Sequence, residues 1–165
     1  MSQLTTGKRK RRSGIAARPS IGGIESAPVS LLDHVPLLIA SVDQNLRYRY
    51  VNRKYGEWFG LSPGRIQGRL VQDVLGPKRF RVIKKHIEKA LAGERVHYEW
   101  QLTNGGGITK WLEVTYIPDL DARGRVGGFF ALINDIEDRK QTAETIRRSE
   151  APFHRLYESN IIGIM

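Results

Sequence analysis

The stretch VHYEWQLTNGGGITKWLEVTYIPDLDARGRVGGFFALINDI, residues 96–136, decides the fold. Val96, Tyr98, Trp100 and Leu102 alternate without exception with His97, Glu99 and Gln101, the period of a strand with one buried face. Asn104-Gly105-Gly106-Gly107 is hairpin-turn chemistry. A second strand, from Ile108 to Ile117, places Ile108, Leu112, Val114 and Tyr116 on one face and Trp111, Glu113 and Thr115 on the other. Asp121-Ala122-Arg123-Gly124 turns the chain again. The third strand, Val126 to Ile136, has a Gly-Gly-Phe-Phe-Ala-Leu-Ile core that is apolar on both faces, as a central strand is.

Upstream of these strands, Pro77 opens a helix that reaches Ala92 and stops at Gly93. At about 100° per residue, Phe80, Ile83, Ile87, Ala90 and Leu91 fall on one side of it, so that helix is amphipathic. Asn52 caps a shorter helix that ends at Phe59 before Gly60, and Ser62-Pro63 starts another turn that Gly68 closes. Earlier still, Leu37–Val42 and Leu46–Val51 are short apolar runs joined by Asp43-Gln44-Asn45, a hairpin in which Tyr48, Tyr50 and Asn52 share one face. Ser30-Leu31-Leu32-Asp33 reads as a short helix closed by Pro36. Downstream, a charged helix runs from about Ile136 to Ser149. Two strands, several helices, three strands and an exit helix are satisfied by an α+β fold: a five-stranded antiparallel sheet with helices packed on one face.

Composition bounds the rest. The 165 residues are 40% hydrophobic and 27% charged, so wholesale disorder is excluded. There is no cysteine, which excludes disulfides, thiolate metal sites and any group tethered through sulfur. No apolar run approaches the ~18 residues of a membrane span, and no apolar stretch follows the basic N-terminus, so the expected compartment is the cytoplasm. The net charge of +10 divides in two. Residues 1–27 carry six basic side chains against Glu25, and the remaining 138 carry 21 basic and 16 acidic ones, +5 in each part. Half the excess therefore sits in a Gly-, Ser- and Thr-rich segment without apolar periodicity, read as a disordered basic tail.

Several short matches, in order and at the right spacing, give the chain its family resemblance. They are Asp43 after the first strand, Tyr50-Val51-Asn52, Gly60-Leu61-Ser62-Pro63 with Gly68, and Gly93-Glu94. The glycine turn before Lys110-Trp111 and the closing Asn134-Asp135-Ile136-Glu137-Asp138-Arg139-Lys140 complete the set. Together they resemble the PAS (Per-Arnt-Sim) sensory domains of bacterial signalling proteins. The resemblance covers roughly residues 28–150, with the domain proper at 28–135 and a signalling or linker helix at 136–150. A second resemblance, from Arg148 to Ser159, looks like the opening of another PAS domain, with Ile161-Ile162-Gly163-Ile164 as its first strand. Residues 151–165 are accordingly read as the start of an incomplete second domain, separated by Pro152, which disfavours a continuous helix.

The resemblance implies a non-catalytic sensory and dimerisation module, whose C-terminal helix relays input to an effector outside this chain, a histidine kinase or a diguanylate cyclase. The alternative is a stand-alone adaptor that binds a protein or nucleic acid through Lys8–Arg12. That run has no interleaved aromatics, which argues against nucleic acid. An enzymatic reading lacks a constellation: His34, His86, His97 and His154 lie in separate contexts. The triple glycine at 105–107 has no following helix start or lysine for a phosphate. No cofactor is predicted. His86 sits at the rim of its helix's apolar stripe, which argues against haem ligation, and the flavin adduct of light-sensing relatives needs a cysteine that is missing.

The inner sheet face carries the remaining candidates. Tyr48, Tyr50, Tyr98, Trp100, Leu112 and Val114 would face helices bearing Trp58, Phe59, Phe80, Ile83 and Ile87, with Asn52 nearby. Such a cluster is either a packed core or a small apolar pocket whose hydroxyls, indoles and Asn52 amide orient a ligand. On the outer face, Trp111 and Ile117, with Leu31 and Leu32 of the first helix as partial cover, are read as a homodimer surface.

Overall fold

The structure, a computed structural model, describes residues 29–162, with side-chain surroundings for residues 30–150. Residues 1–28, which include the basic tail at 1–27, and residues 163–165 lie outside the described residues. The elements run α1 (Val29–Leu32), β1 (Leu38–Asp43), β2 (Tyr48–Val51), α2 (Arg53–Phe59), α3 (Pro63–Ile66), α4 (Val71–Leu75) and α5 (Pro77–Leu91). They continue as β3 (Val96–Thr103), β4 (Thr109–Leu120), β5 (Val126–Asp135) and α6 (Glu137–Ile162). The five strands form one sheet in the order β2-β1-β5-β4-β3, antiparallel at every pairing.

Local chemistry explains each joint. In the β1–β2 turn, Asp43 Oδ1 accepts the amides of Asn45 and Arg47 at 2.8 and 2.9 Å, and Leu46 enters the left-handed region at φ 62. Asn52 caps α2, and Gly60, at φ 68, ends it. Asn104 Oδ1 accepts the amides of Gly106 and Ile108, both at 2.9 Å, which closes the β3–β4 hairpin. The short α4, whose Val71 and Leu75 are buried, has no counterpart in the sequence reading. Five residues are too few for a helical period to emerge.

β5 lies at the centre of the sheet, as its double-sided apolar pattern requires. Phe129, Ala131 and Ile133 are buried on the inner face, beneath Ile83, Ile87 and Ala90 of α5. Full burial of a side chain such as Phe129 or Ile87 is worth about 1.5–3 kcal/mol, and these layers are the main source of the domain's stability.

Two expectations are corrected at the C-terminal end. α6 continues through Pro152 to Ile162, so neither Pro152 nor residue 150 marks a helix end. Ile161 and Ile162 are helical where a strand was expected. A proline removes one amide donor and costs about 3 kcal/mol. The Glu, Arg, Lys and Ala residues that dominate the preceding turns are strong helix formers and carry the helix across it.

Candidate functional site

The inner face of the sheet and the helices above it enclose a cavity of about 30 Å³, room for roughly one or two water molecules. Eight of the twelve pocket candidates line it: Tyr48, Phe59, Ile83, Ile87, Tyr98, Trp100, Leu112 and Val114. Tyr55 from α2, Tyr116 from β4 and Phe129 from β5 complete its aromatic wall. Tyr116 continues the alternation of Leu112 and Val114, so its signal was present in the sequence. Tyr55 and Phe59 sit three and seven residues after the Asn52 cap, which places both on the buried side of α2.

The other four candidates are elsewhere, each for a definite reason. A bulge in β2 moves Tyr50. Val42 pairs with Tyr48 and Ser41 with Tyr50, leaving Arg49 unpaired between them. The extra residue turns Tyr50 to the outer face. Arg49 itself crosses the glycines of β5, donating to Asp119 at 2.8 Å and to the Gly127 carbonyl. Asn52 is fully buried but already occupied. Its Oδ1 accepts the Ile39 and Tyr55 amides, at 3.0 and 3.1 Å, and its Nδ2 donates to the Leu32 and Leu37 carbonyls, at 2.9 and 2.8 Å. Two accepted and two donated bonds exhaust a carboxamide, so Asn52 ties α1, β1 and α2 together and has nothing left for a ligand. Trp58 lies in a separate groove with Pro36, Leu38 and Lys110. Phe80 is half-buried against the core without reaching the cavity wall.

Four phenols provide the polarity inside the cavity. Tyr48 and Tyr55 share a hydrogen bond of 2.6 Å, and Tyr98 and Tyr116 share one of 2.9 Å. Burial pushes all four hydroxyls above the ordinary value of 10, Tyr116 to about 12, so they are neutral donors at physiological pH. His86 is outside the wall and stacks flat on Tyr98, with ring centroids 3.8 Å apart. Burial, with Lys85 and Lys89 nearby, lowers its pKa.

A five-stranded sheet in this order, with α2 to α5 over one face and an exit helix after β5, is the arrangement that the PAS fold model matches over residues 32–141. The chain belongs to the PAS family. No curated protein sequence matches it significantly. Among solved structures, the chain is similar to a PAS domain from Colwellia psychrerythraea, at 19% identity and a TM-score of 0.56, over 66% of this chain and 93% of that one. It is also similar to VqmA of Vibrio cholerae in a complex with ligand and DNA, at 21% identity and a TM-score of 0.59, over 66% of this chain and 50% of that one. A third is the N-terminal domain of a diguanylate cyclase with a PAS/PAC sensor from Marinobacter aquaeolei, at 15% identity and a TM-score of 0.52, over 63% of this chain and 98% of that domain. The chain thus spans about half the length of VqmA. No catalytic domain is evident among the described residues beside the PAS domain. No described helix is long and apolar enough to cross a membrane.

The outer face of the PAS sheet, together with the end of β5, anchors α6. Ile136 donates its amide to the Trp111 carbonyl, and Glu137 accepts the Trp111 amide, both at 2.9 Å. Lys110 pairs with Asp135, whose other oxygen accepts the Glu137 amide at 3.0 Å. Arg139 reaches Glu113 at 3.2 Å, and Lys140 pairs with Glu99. Burial works against the Asp135 carboxylate, but the Lys110 ammonium and the Glu137 amide outweigh it and hold the pKa low. Arg139 does the same for Glu113.

The dimer-surface candidates divide. Trp111 is half-buried under α6, with the Lys140 ammonium 5.0 Å from its ring centre, so part of the cover expected from α1 comes from the exit helix. Leu31 remains 55% exposed. Leu32 is half-buried with its carbonyl held by Asn52. Ile117 is half-buried opposite Phe130.

Proposed function

We propose that this PAS domain is a cytoplasmic sensory module of a bacterial signalling protein, taking a small molecule or a partner domain as input and passing the signal through α6. One observation carries the reading: β4 and β5 have the cavity on one face and the root of α6 on the other. Leu112, Val114 and Ile133 line the cavity, while their chain neighbours Trp111 and Glu113 hold α6 on the outer side. A strand displaced from inside therefore moves the anchors outside, because successive residues share one rigid backbone. The module acts as a homodimer, with the exposed Leu31 and the outer face at the interface, on an effector such as a histidine kinase or a diguanylate cyclase. The sensor-bearing diguanylate cyclase and the ligand–DNA complex among the similar structures support a regulatory setting. The adaptor reading through Lys8–Arg12 draws no support from the fold, since that run lies outside the described residues.

Native mass spectrometry of mildly purified protein tests the reading. It is expected to show a fraction carrying a small non-covalent mass, and ultracentrifugation is expected to show dimer. A chain uniformly empty and monomeric at high micromolar concentration contradicts it. His86 stands outside the cavity wall, so the purified protein is expected to be colourless. A Soret band that vanishes in His86→Ala would overturn that expectation.

A further inference from the structure

We propose that the four cavity tyrosines form a hydrogen-bond donor centre for a small uncharged molecule bearing an acceptor, such as a ketone or amide carbonyl. The inference rests on the sensory reading above and specifies the ligand class of the same cavity.

Four phenols carry four hydroxyl protons. A contact between two hydroxyls has one donor and one acceptor, so the Tyr48–Tyr55 and Tyr98–Tyr116 contacts use one proton each. Each pair keeps a second proton, and neither pair has a further hydrogen-bond partner among the described residues. Both pairs belong to the wall of the same cavity. Two uncommitted O–H donors thus face one enclosed apolar space. A buried donor without an acceptor is costly, more so at low dielectric. A hydrocarbon fills the space and leaves both donors unmet, whereas a carbonyl oxygen has two lone pairs to meet them.

The wall also settles the charge. It contains no Lys, Arg, His, Asp or Glu among the described residues. A carboxylate or ammonium would be buried without a counter-charge, which is prohibitive. The open volume of about 30 Å³ is too small for an organic ligand at rest, so entry requires side chains to turn. Phe59, Tyr98 and Trp100 are half-buried members of the wall, which identifies them as the entrance.

Three probes of nearly equal shape separate the possibilities: acetophenone, α-methylstyrene, which replaces its carbonyl oxygen by a methylene, and benzoate. Binding to the 165-residue chain is followed by methyl NMR shifts of Ile83, Ile87 and Val114, and the carbonyl stretch of bound acetophenone by infrared difference spectroscopy. The expected results are a bound carbonyl stretch below its frequency in hexane and no methyl shifts with benzoate. Removing a donor pair, Tyr48→Phe with Tyr55→Phe or Tyr98→Phe with Tyr116→Phe, is expected to weaken acetophenone about three- to tenfold and leave α-methylstyrene unweakened. A carbonyl at its hexane frequency, benzoate binding as tightly as acetophenone, or acetophenone unmoved in both double variants overturns the donor centre and leaves the cavity reading standing. Absence of methyl shifts with both neutral probes overturns the cavity reading and the donor centre together. If a double variant fails to fold, the infrared measurement on the unaltered chain decides.

Discussion

At the scale of single residues, Gly128 has the least freedom. Its φ is +153°, and a Cβ built there would stand 2.0 Å from the carbonyl oxygen of Val42 and 2.9 Å from the Cα of Asp43. Those are backbone atoms of the paired strand β1, which cannot swing aside. Gly128→Ala is expected to destabilise by roughly 3 kcal/mol or more, read as a lowered urea midpoint. Gly64, with open space around it, is the control: Gly64→Ala is expected to be neutral or to stabilise by up to about 1 kcal/mol. The tyrosines make a second prediction. Their hydroxyl pKa values are raised by burial, so the folded state resists ionisation that the unfolded chain permits at 10. The resulting stability is complete below pH 10 and is lost as pH rises through the folded values, the first being Tyr116 at about 12. Tyrosinate absorbance from these four is expected to appear together with loss of the far-ultraviolet helix signal above pH 10. Stepwise ionisation with the fold intact would show that the phenols are accessible.

At the scale of elements, α6 is held at its root by charge and by two backbone contacts more than by apolar packing. Residues 141–150 are exposed throughout. The 141–150 part of the helix is therefore free to move once the Asp135, Glu137 and Glu113 contacts give way. Asp135 and Glu113 have folded pKa values below the ordinary carboxylate range. Their contribution is present above roughly pH 4 and disappears as pH falls through the lower folded values. Asp135→Asn is expected to speed amide exchange at Glu137–Lys140 while the midpoint for global unfolding stays nearly unchanged. A large global loss instead would mean that the root is part of the core. The same contrast explains what was legible in the sequence. Long elements with a clean period, α5 and β3 to β5, and the capped start of α2 could be read directly, because burial of one face enforces the pattern. Tyr50 was misplaced because a single bulged residue, Arg49, reverses every face beyond it and leaves no mark in the alternation itself. Asn52 was assigned two roles, and only the hydrogen-bond count shows that the cap and the strand ties consume it. Pro152 read as a break because the rule concerns one bond, whereas helix continuity depends on the turns to either side.

In the whole molecule, the proposed relay makes β4 and β5 one mechanical unit, with the cavity on one side and the root of α6 on the other. The coupling needs no long pathway: Val114 lines the cavity, and adjacent Glu113 holds Arg139 of α6. Hydrogen exchange on Val114→Ala tests this most directly. The substitution enlarges the cavity and costs roughly 1–3 kcal/mol, a perturbation confined to the inner face. Exchange is compared with the unaltered chain at matched global stability, set with denaturant. Faster exchange at the amides of Ile136 to Lys140, along with β4, is the predicted result. Changes restricted to the strands and helices that line the cavity, with the root of α6 exchanging as before, would contradict the account.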